Sequence, residues 1–326
     1  MDPDVGDQGD VYRDISLDGD VVLVVGEEKK LRLKVNSQNL SCASKVFRAM
    51  FGPNWSEGQG LSKESPKEVE LVEDDADAMY AICCVIHHRN DLAPKALSPQ
   101  QVLQIAIAAD KYDLSVALAY ARAQWLRSRD IADPKTLAYL MAAARWFDDE
   151  PAFIKCGRAL VFRCVGSYAR LMDDEVLSQM LPSNIPRKLI ADNRNPGYLL
   201  RSTDILEERR TRVRAELGEL ISNEAKEGCA CGWGARRSKA FQQLARDHSP
   251  LKMLWTPVSQ VMRNIQTPMV KLVDGPKYCP NRHFTHPPTP YARASQALED
   301  ASRKAIICYE CVNASSKGTS CTSKHG

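Results

Sequence analysis

The stretch from Gly19 to Phe51, GDVVLVVGEEKKLRLKVNSQNLSCASKVFRAMF, restricts the possible folds more than any other part of the chain. Val21 to Val25 is an unbroken apolar run, mostly β-branched, and a run of that length predicts a strand covered on both faces. Gly26, Glu27, Glu28, Lys29 and Lys30 follow as a polar turn. The next strand alternates, with Leu31, Leu33 and Val35 directed inward and Arg32 and Lys34 to solvent. Ser37 and Ser41 then read as helix N-caps, and Val46, Phe47, Met50 and Phe51 recur three and four apart, the spacing of one helix face. A hairpin therefore feeds a helix.

These positions carry a family resemblance. The order Asp20-Val21-x-Leu23-x-Val25, then Leu33-x-Val35-Asn36-Ser37-x-x-Leu40, then Ser44-x-Val46-Phe47-x-x-Met50-Phe51 resembles the opening of a BTB/POZ domain and is closest to the divergent BTB proteins abundant in fungi. At Asn36 the family usually carries a histidine that helps knit the dimer core. The resemblance implies an α+β fold, a short mixed sheet flanked by helices, over residues 15–129. It also implies a non-catalytic interaction protein that self-associates as a homodimer.

Length and composition set the wider frame. The 326 residues leave room for more than one domain, and the 44% hydrophobic and 26% charged fractions are those of an ordinary globular protein. A net charge of +3 does not by itself point to nucleic acid or membrane. The opening MDPDVGDQGD is acidic and lacks an apolar core, and no apolar run approaches membrane-spanning length, so a cytoplasmic or nuclear protein is expected. In that setting the 11 cysteines are expected as thiols or metal ligands rather than disulfides.

Taken in order, residues 1–14 are rich in aspartate and read as a disordered acidic tail. After Phe51 a loop rich in Gly, Pro and Ser leads to a short strand at Val69 to Val72. Asp74 and Asp75 offer an N-cap for a helix bearing Met79, Ile82, Cys83 and Ile86, and His87 and His88 close it, where a cation would favour the helix dipole. Ser98-Pro99-Gln100-Gln101 combines an N-cap, a first-position proline and a capping-box glutamine. Another helix is predicted from Leu114 to Arg127 with Val116, Tyr120, Ala123 and Leu126 inward.

Beyond Asp130 strand signals disappear. Pro134 to Phe147, Pro151 to Val165 and Asp173 to Leu181 read as helices, and Ser202 to Ser222 as a longer one with a seam of Leu206, Val213, Leu217 and Leu220. Residues 130–226 thus read as a helical extension, which resembles the one that follows BTB domains in many adaptors. Residues 227–326 form a segment containing cysteine and histidine.

Three constellations bear on function. Trp55-Ser56-Glu57 lies in the loop where many cullin-recruiting BTB adaptors carry a hydrophobic-x-glutamate motif, which implies Trp55 as an apolar anchor and Glu57 as its polar neighbour on a cullin-type ubiquitin-ligase scaffold. The competing reading folds Trp55 back onto its own domain and leaves Glu57 solvated. Cys229 and Cys231, with Cys308 and Cys311, form two close pairs that suit a structural zinc site, and Cys279, His283 and His286 are alternative ligands. Against zinc stands the reading of all these as free thiols and unliganded histidines. Arg209, Arg210, Arg212 and Arg214, with Arg236, Arg237 and Lys239, could touch phosphates, which keeps open a nuclear regulator acting on nucleic acid. Interleaved with glutamates, they read better as a solvated helix face. No phosphate-binding loop, dinucleotide fingerprint, nucleophile elbow or zinc-protease helix occurs, so no catalytic residue is assigned.

Overall fold

The computed structural model describes residues 11–27, 31–127, 133–180, 197–226, 232–271 and 290–306. Four strands, β1 (Val11–Asp14), β2 (Val21–Val25), β3 (Leu31–Val35) and β4 (Lys67–Leu71), form one mixed sheet in the order β1-β3-β2-β4. β2 runs antiparallel to β3, with Val21 opposite Val35, and parallel to β4, with Leu23 opposite Val69. Every residue of β2 is buried, which is why its sequence has no polar alternation. β1 pairs parallel with β3 inside the stretch expected as a tail; Val11 and Tyr12 give it strand-forming side chains, and both stay about half exposed at the sheet edge.

Two short helices, α1 (Ser37–Ala43) and α2 (Lys45–Met50), follow the hairpin. Their caps differ from the expected serines. The Asn36 side chain accepts from the amides of Gln38 (3.0 Å) and Asn39 (3.1 Å), while Ser44 accepts from Phe47 (3.0 Å). Ser37 instead donates its hydroxyl and its amide to Asp20, both at 2.7 Å. Asp20 thereby fixes the start of α1 to the start of β2. Phe47, fully buried, stacks on Tyr112 with ring centroids 4.5 Å apart.

α3 (Ala76–Ile86) and α4 (Pro99–Lys111) pack on each other, and α5 (Ala119–Trp125) follows. Asp75 caps α3 through the Ala78 amide at 2.8 Å, and the capping box of α4 is complete, Ser98 and Gln101 each accepting from the other's amide. Asp74 has a different task. Its nearly buried carboxylate takes Lys111 Nζ at 2.9 and 3.0 Å and the Tyr112 hydroxyl at 2.6 Å.

α3 and α4 both end without glycine. His88 (φ 58) and Asp113 (φ 51) take the left-handed position, and Arg89 and Leu114 donate back to Cys84 and Ala109, each at 2.8 Å, closing Schellman motifs. Histidine and aspartate are among the non-glycine residues that tolerate this region. His87, expected as a dipole-stabilising cation, is buried and neutral in function: its Nε2 accepts from the Asn36 amide at 3.0 Å, and its Nδ1 lies 2.9 Å from the Cys83 carbonyl. Burial lowers its pKa.

α5 is shorter than expected and rotated. Leu118 and Leu126 are buried, whereas Val116 and Tyr120, expected inward, are 89% and 94% exposed. Arg122 points to the protein side, donating to the Phe147 carbonyl at 3.0 Å and pairing with Asp149 at 3.2 Å.

The remaining helices are α6 (Pro134–Trp146), α7 (Glu150–Arg163), α8 (Glu175–Met180), α9 (Gly197–Ala225), α10 (Gly232–Asp247), α11 (Pro250–Leu254), α12 (Val258–Lys271) and α13 (Pro290–Lys304). The chain divides into two compact units. The first is Met1–Arg129 with Tyr139–Ala152, so the second half of α6 joins the sheet-bearing unit, where Tyr139 meets Gln100 and Phe147 stacks on Trp125. The second is Asp130–Ala138 with Phe153–Gly326. In it α10, α12 and α13 each pack on α9, whose buried seam is Leu206, Val213, Leu217 and Ile221 rather than Leu220. No helix among the described residues is long and apolar enough to cross a membrane.

Two outcomes are expected. Asp74→Asn removes a carboxylate that accepts from two donor groups, Lys111 Nζ and the Tyr112 hydroxyl, and should cost about 2 kcal/mol in urea denaturation of the full chain, a partial loss because Lys111 reaches solvent; an unchanged midpoint would show that the cluster contributes nothing. For His87 the folded pKa lies below its unfolded value of 6.5, so the unfolded state binds more protons in between and stability rises with pH there. Its contribution is therefore complete above about pH 6.5 and declines on acidification. His87→Gln, which keeps an acceptor for Asn36, should flatten the fall in urea midpoint between about pH 8 and about pH 5 relative to wild type.

Candidate protein-interaction surface

The loop after α2 is built to hold its shape. Gly52 donates to the Ala49 carbonyl (3.1 Å), Trp55 to Gly52 (3.3 Å), Gly58 to Trp55 (3.1 Å) and Gln59 to Ser56 (3.2 Å), and Ser56–Gly58 makes one 3-10 turn. Lys67, the first residue of β4, donates its Nζ to the Ser56 carbonyl and to the Gln59 carbonyl at 3.0 Å. A partly covered ammonium thus ties both ends of the turn to the sheet.

Gly58 allows the loop to close on itself. A Cβ there would lie 2.2 Å from the Gly52 carbonyl oxygen and 2.6 Å from the Phe51 carbonyl carbon, well inside van der Waals contact for a carbon that is not bonded to them. Only glycine fits without moving backbone.

This scaffold presents Trp55 to solvent. The indole residue is 59% exposed, so it does not fold back into its own core. Two residues on, Glu57 is half-buried, and its own amide and the Ser56 hydroxyl, at 2.9 Å, hold its carboxyl below the usual carboxylate range. Glu57 is anionic at neutral pH. An apolar plate beside a fixed negative charge can receive a partner that offers an apolar pocket next to a hydrogen-bond donor or cation.

Two further exposed apolar groups escaped the sequence. In the first unit they are Val116 and Tyr120. The signal that finds them is the leucine spacing: Leu114, Leu118 and Leu126 mark the inner side and leave Val116 and Tyr120 off it. In the second unit Leu251 (76%), Leu254 and Trp255 (74%) stand exposed on and just after α11, while Met253 turns inward. Scattered apolar residues are normal on surfaces, but three within five positions form a patch.

The other expected sites fare differently. Cys229, Cys231, Cys279, His283, His286, Cys308 and Cys311 all lie outside the described residues. Among the arginines expected on a solvated face of α9, Arg212 pairs with Glu208 at 2.7 Å in solvent, but Arg210 and Arg214 are buried. They sit on the seam side, turned toward neighbouring structure. On α10, Arg237 pairs with the buried Glu224 at 2.6 Å and is not free for phosphate.

Gly58→Ala should lower stability by about 2 kcal/mol, the usual cost of forcing an atom into filled space, in urea denaturation of the full chain. An unchanged midpoint would mean that Phe51 and Gly52 yield at no cost.

A search of curated proteins finds no match to the chain. A family model for the BTB/POZ domain matches residues 13–121, which takes in β2 to β4, the second half of β1, α1 to α4 and the turn that displays Trp55. The sheet and the helices packed on it are therefore a BTB/POZ domain, a module for protein–protein interaction.

Proposed function

We propose that the chain is a non-catalytic adaptor that self-associates through its BTB/POZ domain and uses Trp55 and Glu57 to engage a cullin-type ubiquitin-ligase scaffold. The observation that carries this reading is the exposed Trp55 beside an ionised Glu57 on a turn locked by Gly58 and Lys67. A rigid turn loses little conformational freedom on binding, and an exposed Trp is the residue type most often found at the centre of an interface.

Self-association rests on the family. Asn36, standing where the family usually has histidine, caps α1 with its side chain and gives its amide to His87. Its polar groups are used within one chain, so a homodimer would form around α1 rather than through Asn36.

The second unit supplies what an adaptor needs beyond the BTB domain, a separate surface for another partner. Leu251, Leu254 and Trp255 are that surface in this reading. Nucleic acid fits less well, because Arg210, Arg214 and Arg237 are committed inside the protein. A structural zinc held by Cys229, Cys231, Cys308 and Cys311 would be seen by metal analysis of the purified protein near one equivalent, and a value near zero would remove it.

The deciding experiment is light scattering of the full chain, alone and with a cullin N-terminal domain, beside the Trp55→Ala, Glu57→Ala double variant. The expected outcome is a dimer that binds the cullin domain, with binding weakened by about a hundredfold in the double variant, the cost of two central contacts of a little over 1 kcal/mol each. Equal binding by the variant would refute the assigned surface, and a monomer would refute self-association.

A further inference from the structure

One short turn in the second unit carries three large apolar side chains in water. Leu251 is 76% exposed, Leu254 49% and Trp255, the residue after α11, 74%, while Met253 turns inward and anchors the turn. Pro250 and Lys252 are exposed as well, so α11 projects from the helices beside it.

The backbone beneath these side chains is satisfied without water. A helix leaves its last carbonyls to outside donors. Here the Lys252 carbonyl accepts from the Trp255 amide (3.1 Å) and the Thr256 hydroxyl (2.9 Å), and the Met253 carbonyl from the Thr256 amide (3.4 Å). Arg214 Nη2 donates to the Leu254 and Thr256 carbonyls at 3.0 and 3.3 Å. The buried Arg214 is thus a positioning residue under α11. With these carbonyls paired inside the chain, the turn can leave water without baring them.

The charge around the turn has one sign. From Gly232 to Lys271 the chain has seven lysines and arginines and a single acid, Asp247, an excess that the whole-chain value of +3 conceals. On α10 the exposed Arg236, Lys239, Gln243 and Arg246 recur three and four apart, a face that leads to α11. There Lys252 Nζ reaches back to the Arg246 carbonyl at 3.2 Å.

We propose that α11 is an insertion turn that seats the second unit on an anionic lipid bilayer surface. Leu251, Leu254 and Trp255 enter the boundary between headgroups and acyl chains, and Arg246 and Lys252 lie at the lipid phosphates. The inference rests on the reading of this patch as the adaptor's second docking surface and names what it docks on. A nucleic acid would meet the cations but leave both leucines against water. An acidic protein would need a cavity moulded round a projecting turn, whereas a fluid layer takes apolar side chains that leave the turn in different directions. Trp255 and Lys252 suit the boundary itself, since an indole keeps its N–H at headgroup level and a lysine lays its stem along apolar surface with the ammonium in water. Apolar insertion and a basic patch are together the two signals that reversible anchoring needs.

The test sediments the full chain with vesicles of phosphatidylcholine alone and of phosphatidylcholine with about a third phosphatidylserine. Binding is expected to the anionic vesicles, weakened by high salt, and little to the neutral ones. Arg246→Gln with Lys252→Gln should weaken it about thirtyfold, the loss of two basic residues beside an anionic leaflet. Leu251→Ala with Trp255→Ala should weaken it about tenfold or more. All four side chains are exposed, so both variants should keep the wild-type urea midpoint. Vesicles brominated along the acyl chains should quench wild-type tryptophan fluorescence and leave Trp255→Phe unquenched, which separates insertion from adsorption. The Trp55→Ala, Glu57→Ala variant should bind vesicles as wild type does, so failure here and failure at the cullin scaffold are read apart. The proposal is overturned by no binding to anionic vesicles, which would return the patch to a protein partner, or by equal binding to neutral ones. Affinity unmoved by either double variant, or quenching that persists in Trp255→Phe, overturns it as well.

Discussion

The first unit depends on a strand buried on both faces. β2 has no polar face to give to water, so helices must cover it above and below and a strand must pair with it on each side. Those requirements fix the register, because a slip by one residue would leave Val35 or Val69 without its place in the core. The register puts Lys67 opposite Val21, and Lys67 holds the turn under Trp55. The placement of an exposed side chain therefore follows from the packing of a buried strand. Asp20 works from the same end, binding Ser37 and accepting the Lys67 amide at 3.0 Å, so one carboxylate and its backbone locate α1 and β4 together.

Polar groups elsewhere act as joints between apolar layers. Asp74, Lys111 and Tyr112 join the start of α3 to the end of α4, while Ser44 donates to the Tyr112 carbonyl at 2.5 Å and joins α2 to the same point. His87 joins the end of α3 to the start of α1 and must be neutral to do so, since a protonated Nε2 has no lone pair for the Asn36 amide. These joints define where each helix stops. They explain why residues that could cap or carry charge in isolation, such as Ser37 and His87, take other work in the fold.

Much of this was legible where a signal was local. The β-branched run, the alternation of Leu31, Leu33 and Val35, and the Ser98–Gln101 capping box each state their structure within a few residues. What was not legible depended on distant partners. Asp20 lies 17 residues from Ser37, and its claim on that side chain leaves Asn36 as the cap. The phase of the helix before Arg127 was misread because Val116 and Tyr120 are apolar at helical spacing, while the Phe147 carbonyl and Asp149 that draw Arg122 inward lie beyond the predicted domain boundary. Trp55 could not be assigned from its neighbours alone, because exposure is decided by whether the loop closes beneath it, and that closure rests on Gly58 and Lys67.

The arginines of α9 show how a charge pattern misleads and how it could be read better. Glutamates and arginines at helical spacing suggest a solvated face, and Glu208 with Arg212 is one. Yet the apolar seam has a gap: Leu206 and Val213 are seven residues apart, and a continuous seam requires an inward residue between them at three or four from each. Arg210 is that residue, four after Leu206 and three before Val213, so the seam's own geometry carries a cation inside. Position in the hydrophobic stripe, and not residue type, decided burial. Once inside, the guanidinium recruits the groups that can tolerate it, Tyr168 by its ring and Glu207 and Gly166 by oxygen.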